Sequence, residues 1–131
     1  MKLDSLSIQS INLFENITGA KVKDCFEDRG ELTFVVEEGN IKKAVINLAK
    51  VERLMKRKLR ILGFSADPVK FINNLIYPLK VENIRKEENK VIIESSDSII
   101  KGKIFGREKE NLHRIEGLMK KYFNIDEVIV K

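Results

Sequence analysis

The run Ile104-Phe105-Gly106-Arg107-Glu108-Lys109-Glu110-Asn111-Leu112 joins two helical patterns through a single glycine. Before it, Asp97 caps a short helix that reaches Phe105, with Ile100 and Ile104 inward. After it, Glu110 to Phe123 spaces Leu112, Ile115, Leu118, Met119 and Tyr122 along one helical face. Two helices in a row, parted by about four residues, are uncommon between strands. Strands do flank them here. Asp126 to Lys131 reads as the closing strand, and Lys80 to Lys86 and Lys90 to Ser95 as a hairpin around Glu87-Glu88-Asn89. Upstream, Asp67-Pro68 is a helix start, an N-cap followed by proline at the first helical position. That helix turns Phe71, Ile72, Leu75 and Ile76 inward, and Pro78 stops it.

The same order precedes it. Asp4 to Thr18 spaces Leu6, Ile11, Phe14 and Ile17 as a helix, with Leu3 and Leu13 beside them, and Gly19 closes it. Lys21 to Glu27 and Glu31 to Glu37 form a hairpin, the second strand alternating Leu32, Phe34 and Val36. Asn40 caps a short helix from Ile41 to about Asn47, with Ile41, Ala44, Val45 and Leu48 apolar. A further helix, about Lys50 to Lys58, points Val51, Leu54 and Met55 inward, and Leu59 to Phe64 closes the half. At an offset of 59, Ile17 meets Ile76, Val22 meets Val81, Phe34 meets Ile93 and Val45 meets Ile104. Beyond the helix junction an offset of 61 pairs Val51 with Leu112 and Leu54 with Ile115. The chain is therefore expected to be an α+β repeat, residues 1–65 and 66–131, each α-β-β-α-α-β. A unit of this size buries only about 60% of its unfolded surface. The link Gly63-Phe64-Ser65-Ala66-Asp67 has no flexible tract, so one rigid unit is expected.

Composition narrows the function. The 131 residues are 43% apolar and 34% charged, which excludes a disordered tail. One cysteine, Cys25, and one histidine, His113, exclude a disulfide framework, a multi-cysteine zinc site and a His-His metal pair. Neither a membrane span nor a signal-type N-terminus is expected, so the reading is a cytoplasmic protein with no membrane partner. The net charge of +5 and the pI near 9.3 favour a polyanionic partner mildly. Basic residues gather at Lys50, Arg53, Lys56, Arg57, Lys58 and Arg60, and again at Lys101, Lys103, Arg107 and Lys109 followed by Arg114.

The α-β-β-α-α-β order with a glycine turn between consecutive helices resembles a KH domain of the prokaryotic type, type II. In that family the turn is a Gly-x-x-Gly loop clamping about four nucleotides of single-stranded nucleic acid. Here Gly106 holds the first glycine position and Lys109 stands at the second; the first copy, Val45-Ile46-Asn47-Leu48-Ala49-Lys50-Val51, has no glycine. Two such units in tandem resemble the archaeal NusA-like transcription termination factors. The runs that carry this are Leu13-Phe14-Glu15-Asn16-Ile17-Thr18-Gly19-Ala20, Asp67-Pro68-Val69-Lys70-Phe71-Ile72-Asn73-Asn74-Leu75, Pro78-Leu79-Lys80-Val81, Gly106-Arg107-Glu108-Lys109-Glu110-Asn111 and Lys121-Tyr122-Phe123-Asn124-Ile125-Asp126-Glu127-Val128. The resemblance implies binding of single-stranded RNA, the nascent transcript, and action on the elongating RNA polymerase in termination, antitermination or pausing.

The candidate RNA-binding residues are Lys101, Lys103, Gly106, Arg107, Glu108, Lys109, Asn111 and Arg114, with a secondary basic surface of Lys50, Arg53, Lys56 and Arg57. Glu108 and Glu110 repel phosphate, accept from base or ribose, or pair with Arg107 and Lys109; the sequence leaves these open. His113 reads as a solvated or base-stacking residue and Cys25 as a packed strand residue. No cluster of titratable residues suits catalysis, so the chain is read as no enzyme, without cofactor or metal, and as a monomer. The competing reading is a degenerate KH pair that docks on polymerase or ribosome with little RNA affinity.

Overall fold

The computed structural model describes residues 5–131. The chain divides into two compact units, Met1–Ser65 and Ala66–Lys131. The first contains α1 (Ser5–Thr18), β1 (Val22–Asp28), β2 (Glu31–Glu37), α2 (Ile41–Ile46), α3 (Leu48–Met55) and β3 (Leu59–Phe64). The second contains α4 (Pro68–Ile76), β4 (Asn83–Glu87), β5 (Lys90–Glu94), α5 (Ser98–Phe105), α6 (Glu110–Tyr122) and β6 (Glu127–Val130). Each has one three-stranded sheet, ordered β1-β2-β3 and β4-β5-β6. In both, the first pair is antiparallel and the second parallel. A parallel pair needs a long crossover, and the two consecutive helices supply it.

Local chemistry fixes these elements. In α1, Phe14 is fully buried and stacks on Phe34 of β2, ring centroids 4.1 Å apart. Thr18 Oγ1 donates to the Phe14 carbonyl at 2.8 Å and accepts from Ala20 N at 3.0 Å, so one hydroxyl ends the helix and starts the turn. The Glu15 carboxylate then accepts from Val22 N at 2.8 Å, which ties the helix to β1. Around this pair close Val36, Ala44, Val51 and Leu59. In the second unit Asp67 Oδ1 accepts from Val69 N at 3.0 Å with Pro68 at the first turn of α4, as the sequence signals. Phe71, Ile72, Leu75 and Ile76 are all buried, and Phe71 meets Tyr122 of α6 edge-on at 5.5 Å.

Several local expectations need correction. Leu3 and Asp4 lie outside the described residues. Leu6 (71% exposed), Val45 (54%) and Leu54 (57%) do not enter the core. Thr33 and Val35, which alternation places opposite Phe34, are buried as well, so β2 is covered on both faces. Asn40 caps nothing: it ends a 3-10 turn, Glu38–Asn40, and its Oδ1 accepts from Lys21 N at 3.0 Å instead. Lys80 to Glu82 precede the ladder, which starts at Asn83. The chain is still turning there, with Leu79 N held by the Ile76 carbonyl at 2.9 Å.

The repeat register also changes. The middle strands keep the offset of 59, Leu32 matching Val91, while the closing strands are related by 69: Leu32 faces Leu59 across the parallel pair as Val91 faces Val128. The second crossover helices are related by 64, not 61. Glu52 Oε2 of α3 accepts from Leu59 N at 3.0 Å, and Glu116 Oε2 of α6 accepts from Val128 N at 2.9 Å, each at the start of the closing strand. This common anchor aligns Val51 with Ile115 and Met55 with Met119, all packed in their cores. Apolar spacing of three and four fits either register, so it could not separate them.

Candidate nucleic-acid interface

The turn between the helices supplies three of the five residues that separate the offsets 59 and 64. In the first unit Asn47 alone (φ −106°, ψ 11°) joins α2 to α3. In the second unit Gly106, Arg107, Glu108 and Lys109 stand between α5 and α6. The first unit thus lacks the turn as a structural element, beyond lacking its glycines.

The second unit builds the turn from both sides. Asp97 Oδ1 accepts from Ile99 N at 2.9 Å and Ile100 N at 3.3 Å, fixing the start of α5. Glu82 reinforces it by accepting from Ser96 N at 3.3 Å and from the Ser96 hydroxyl. That hydroxyl bond, chiefly, holds the Glu82 carboxyl below its ordinary range, with the Ser96 amide and the charge of Lys101 acting the same way. At the other end Gly106 N donates to the Gly102 carbonyl at 2.9 Å and the backbone leaves at φ 71°, ψ −179°, a conformation essentially reserved for glycine. Lys109 N returns to the Gly106 carbonyl at 3.3 Å, and Glu110 N to the Arg107 carbonyl. The amides of Arg107 and Glu108 donate to nothing among the described residues.

Asn111 locks the turn. Its Nδ2 donates to the Ile104 carbonyl at 2.9 Å and the Lys103 carbonyl at 3.3 Å, and its Oδ1 accepts from Arg114 Nε at 3.0 Å. Asn111 and Arg114 therefore hold the end of α5 against the start of α6, a positioning role that the sequence did not reveal. Arg107, Glu108 and Lys109 are exposed, as is Lys103 on α5, while Lys101 is half-buried. Among the described residues no ion pair joins Arg107 or Lys109 to Glu108 or Glu110. The turn therefore offers two unneutralised cations, two open amides and the positive end of α6 at one corner. Its two exposed carboxylates oppose an anion. Phosphate is the ligand class such a corner attracts.

Glu108 (φ 54°) and Lys109 (φ 62°) are both left-handed. A side chain there costs roughly 1 kcal/mol relative to glycine. Lys109→Gly is expected to raise the stability of the second unit by up to about that amount. Tyr77 and Tyr122, the chain's two tyrosines, both lie in this unit, so urea unfolding followed by tyrosine fluorescence reads it directly. A lowered midpoint would contradict the strain.

The basic surface of the first unit is assembled differently. Lys50 and Arg53 are exposed on α3, and Lys56 sits in a left-handed cap at its end. Arg57 is engaged: its Nη1 and Nη2 donate to the Glu27 carboxylate at 2.6 and 2.7 Å. That bidentate bond, more than the charge itself, pulls Glu27 below its ordinary value of 4.5 against a smaller opposing desolvation. A depressed folded pKa stabilises above the unfolded value and is lost as pH falls through the folded one. The unfolding midpoint of the first unit is expected to drop as pH falls below about 4.5, and Arg57→Met should flatten that drop. Equal acid sensitivity in both proteins, measured by urea titration at stepped pH with circular dichroism, would count against it. His113 is exposed and Cys25 buried. Among the described residues no group of His, Cys, Asp and Glu could hold a metal, and no helix is long and apolar enough to cross a membrane.

Comparison with known proteins follows the same line. A protein of Methanocaldococcus jannaschii named probable transcription termination protein NusA is 25% identical over 137 residues, covering 99% of this chain and 75% of its own. The chain resembles archaeal NusA. A second protein of that name, from Halococcus morrhuae, is 26% identical and covers 96% of this chain and 95% of its own. One from Methanococcus vannielii reaches 33% over 88 residues, 64% of this chain and 51% of its own. No protein-family model matches. The crystal structure of APE1850 superposes with a TM-score of 0.73 over 98% of this chain and all of that one, at 22% identity, and so shares the fold.

Proposed function

We propose that the chain is a non-enzymatic, single-stranded RNA-binding protein of the transcription machinery, built from two type II KH domains, 1–65 and 66–131. In this reading it acts on the elongating RNA polymerase in termination, antitermination or pausing, as a cytoplasmic monomer. The second domain holds the RNA. The observation that carries the proposal is the Gly106–Lys109 turn, where exposed Arg107 and Lys109 stand beside open amides at the start of α6. The archaeal relatives are named for transcription termination, which supports the setting. The missing turn of the first unit favours a second role there, docking rather than RNA binding.

The test is a fluorescence titration of the full chain with an unstructured oligouridylate at several salt concentrations. A clamp on about four nucleotides should make log K fall by about 0.7 per neutralised phosphate, a slope near 3 against log salt. Binding that is salt-independent, or absent at low salt, would overturn the proposal.

A further inference from the structure

Where the first unit lacks the turn, its surface changes character. Val45 and Ile46 end α2 at 54% and 77% exposure, and Leu54 on α3 is 57% exposed. The register set by the two glutamate anchors aligns Leu54 with Leu118, which is only 9% exposed in the second unit. The same helical position is thus covered in one unit and bare in the other. Leu54 lines an open cavity of about 270 Å³ with Lys50 and Arg53. On α2, Lys42 precedes Ile46 by one helical turn and Lys43 precedes it by three residues. Among the described residues none of these four cations is ion-paired. Glu52, the acid on α3, is turned to the start of β3.

We propose that the α2–α3 corner of the first unit is a docking site for an acidic, leucine-bearing helical segment of a partner protein. Charge complementarity decides the occupant. Leu54, in the cavity it lines with Lys50 and Arg53, supplies an apolar seat, and exposed Val45 and Ile46 on the preceding helix add aliphatic surface. The unpaired cations of both helices select carboxylates. A second copy would bring the same four cations against themselves. RNA finds neither an aromatic platform at these aliphatic positions nor the phosphate-cradling turn. The site is independent of the RNA reading, since it uses no residue of the second unit.

The probe is a fluorescein-labelled peptide of leucine and glutamate, its leucines spaced along one helix face. A matched peptide carries lysine in place of glutamate, and an oligouridylate serves as the RNA arm. With the full chain, the acidic peptide should give saturable anisotropy and shift the amide resonances of Val45 to Leu54. Leu54→Ser and Arg53→Glu, both surface changes, should each weaken it about tenfold or more. Four outcomes would overturn the proposal: no saturable binding, equal binding of the lysine peptide, the same amides shifted by the oligouridylate, or self-association that buries them. Loss of oligouridylate binding at the Gly106–Lys109 turn would leave this site intact and refute only the RNA reading.

Discussion

Replacing Arg107 and Lys109 together by glutamate is expected to lower affinity for single-stranded RNA about 100-fold at moderate salt. Each side chain is exposed and unpaired beside a turn whose backbone amides are open to an anion. An exposed charge contact is worth roughly 1 kcal/mol or less, and reversal replaces attraction with repulsion, so two reversals reach about 2.7 kcal/mol. The loss should itself depend on salt. Removing two phosphate contacts flattens the slope of log K against log salt by about 1.4. Neither residue packs in the core, so thermal unfolding should be little changed. Unaltered affinity in the double variant would remove this turn from the interface.

The largest effect on stability is expected at Gly106. An alanine Cβ there would lie 2.7 Å from Asn111 Cβ and 3.0 Å from Asn111 N. Neither atom is free to retreat. The backbone nitrogen belongs to the first turn of α6, and the Asn111 amide is bonded to two carbonyls of α5. The clash adds to a φ of 71° with ψ near 180°, where any side chain is strained. Gly106→Ala should therefore cost about 2–4 kcal/mol. For a unit of this size that is a large share of the whole. Urea unfolding read by the fluorescence of Tyr77 and Tyr122 should show the midpoint fall sharply. A wild-type midpoint would mean that the turn is not held as described.

The order of elements was legible because its signals are local. Asp67-Pro68 and Asp97 are caps that act within their own first turn, and both bonds are present. The hairpins followed from alternation and from turns at Arg29-Gly30 and Glu88, all at positive φ. What the sequence hid depends on distant partners. Arg57 reads as one cation in a cluster until Glu27, thirty residues away, closes on it. Asn111 reads as an RNA-binding candidate at the start of a helix until its amide is seen gripping α5. The absent turn of the first unit was hidden by register, since Val51 and Leu54 imitate the spacing of Leu112 and Ile115. Only the Glu52 and Glu116 anchors break that tie, and an acid one helix turn inside an otherwise packed face was the available clue. Exposed Leu54 broke the periodicity rule for the same reason that makes it interesting: nothing in the folded chain covers it.

The most direct measurement is an amide map of the full chain titrated with an unstructured oligouridylate at low salt. Shifts concentrated from Lys101 to Arg114, strongest across Gly106 to Lys109 and silent around Asn47, are the predicted result. Shifts confined to the first unit, or a map unchanged at saturating RNA, would contradict an interface built on the one turn that only the second unit possesses.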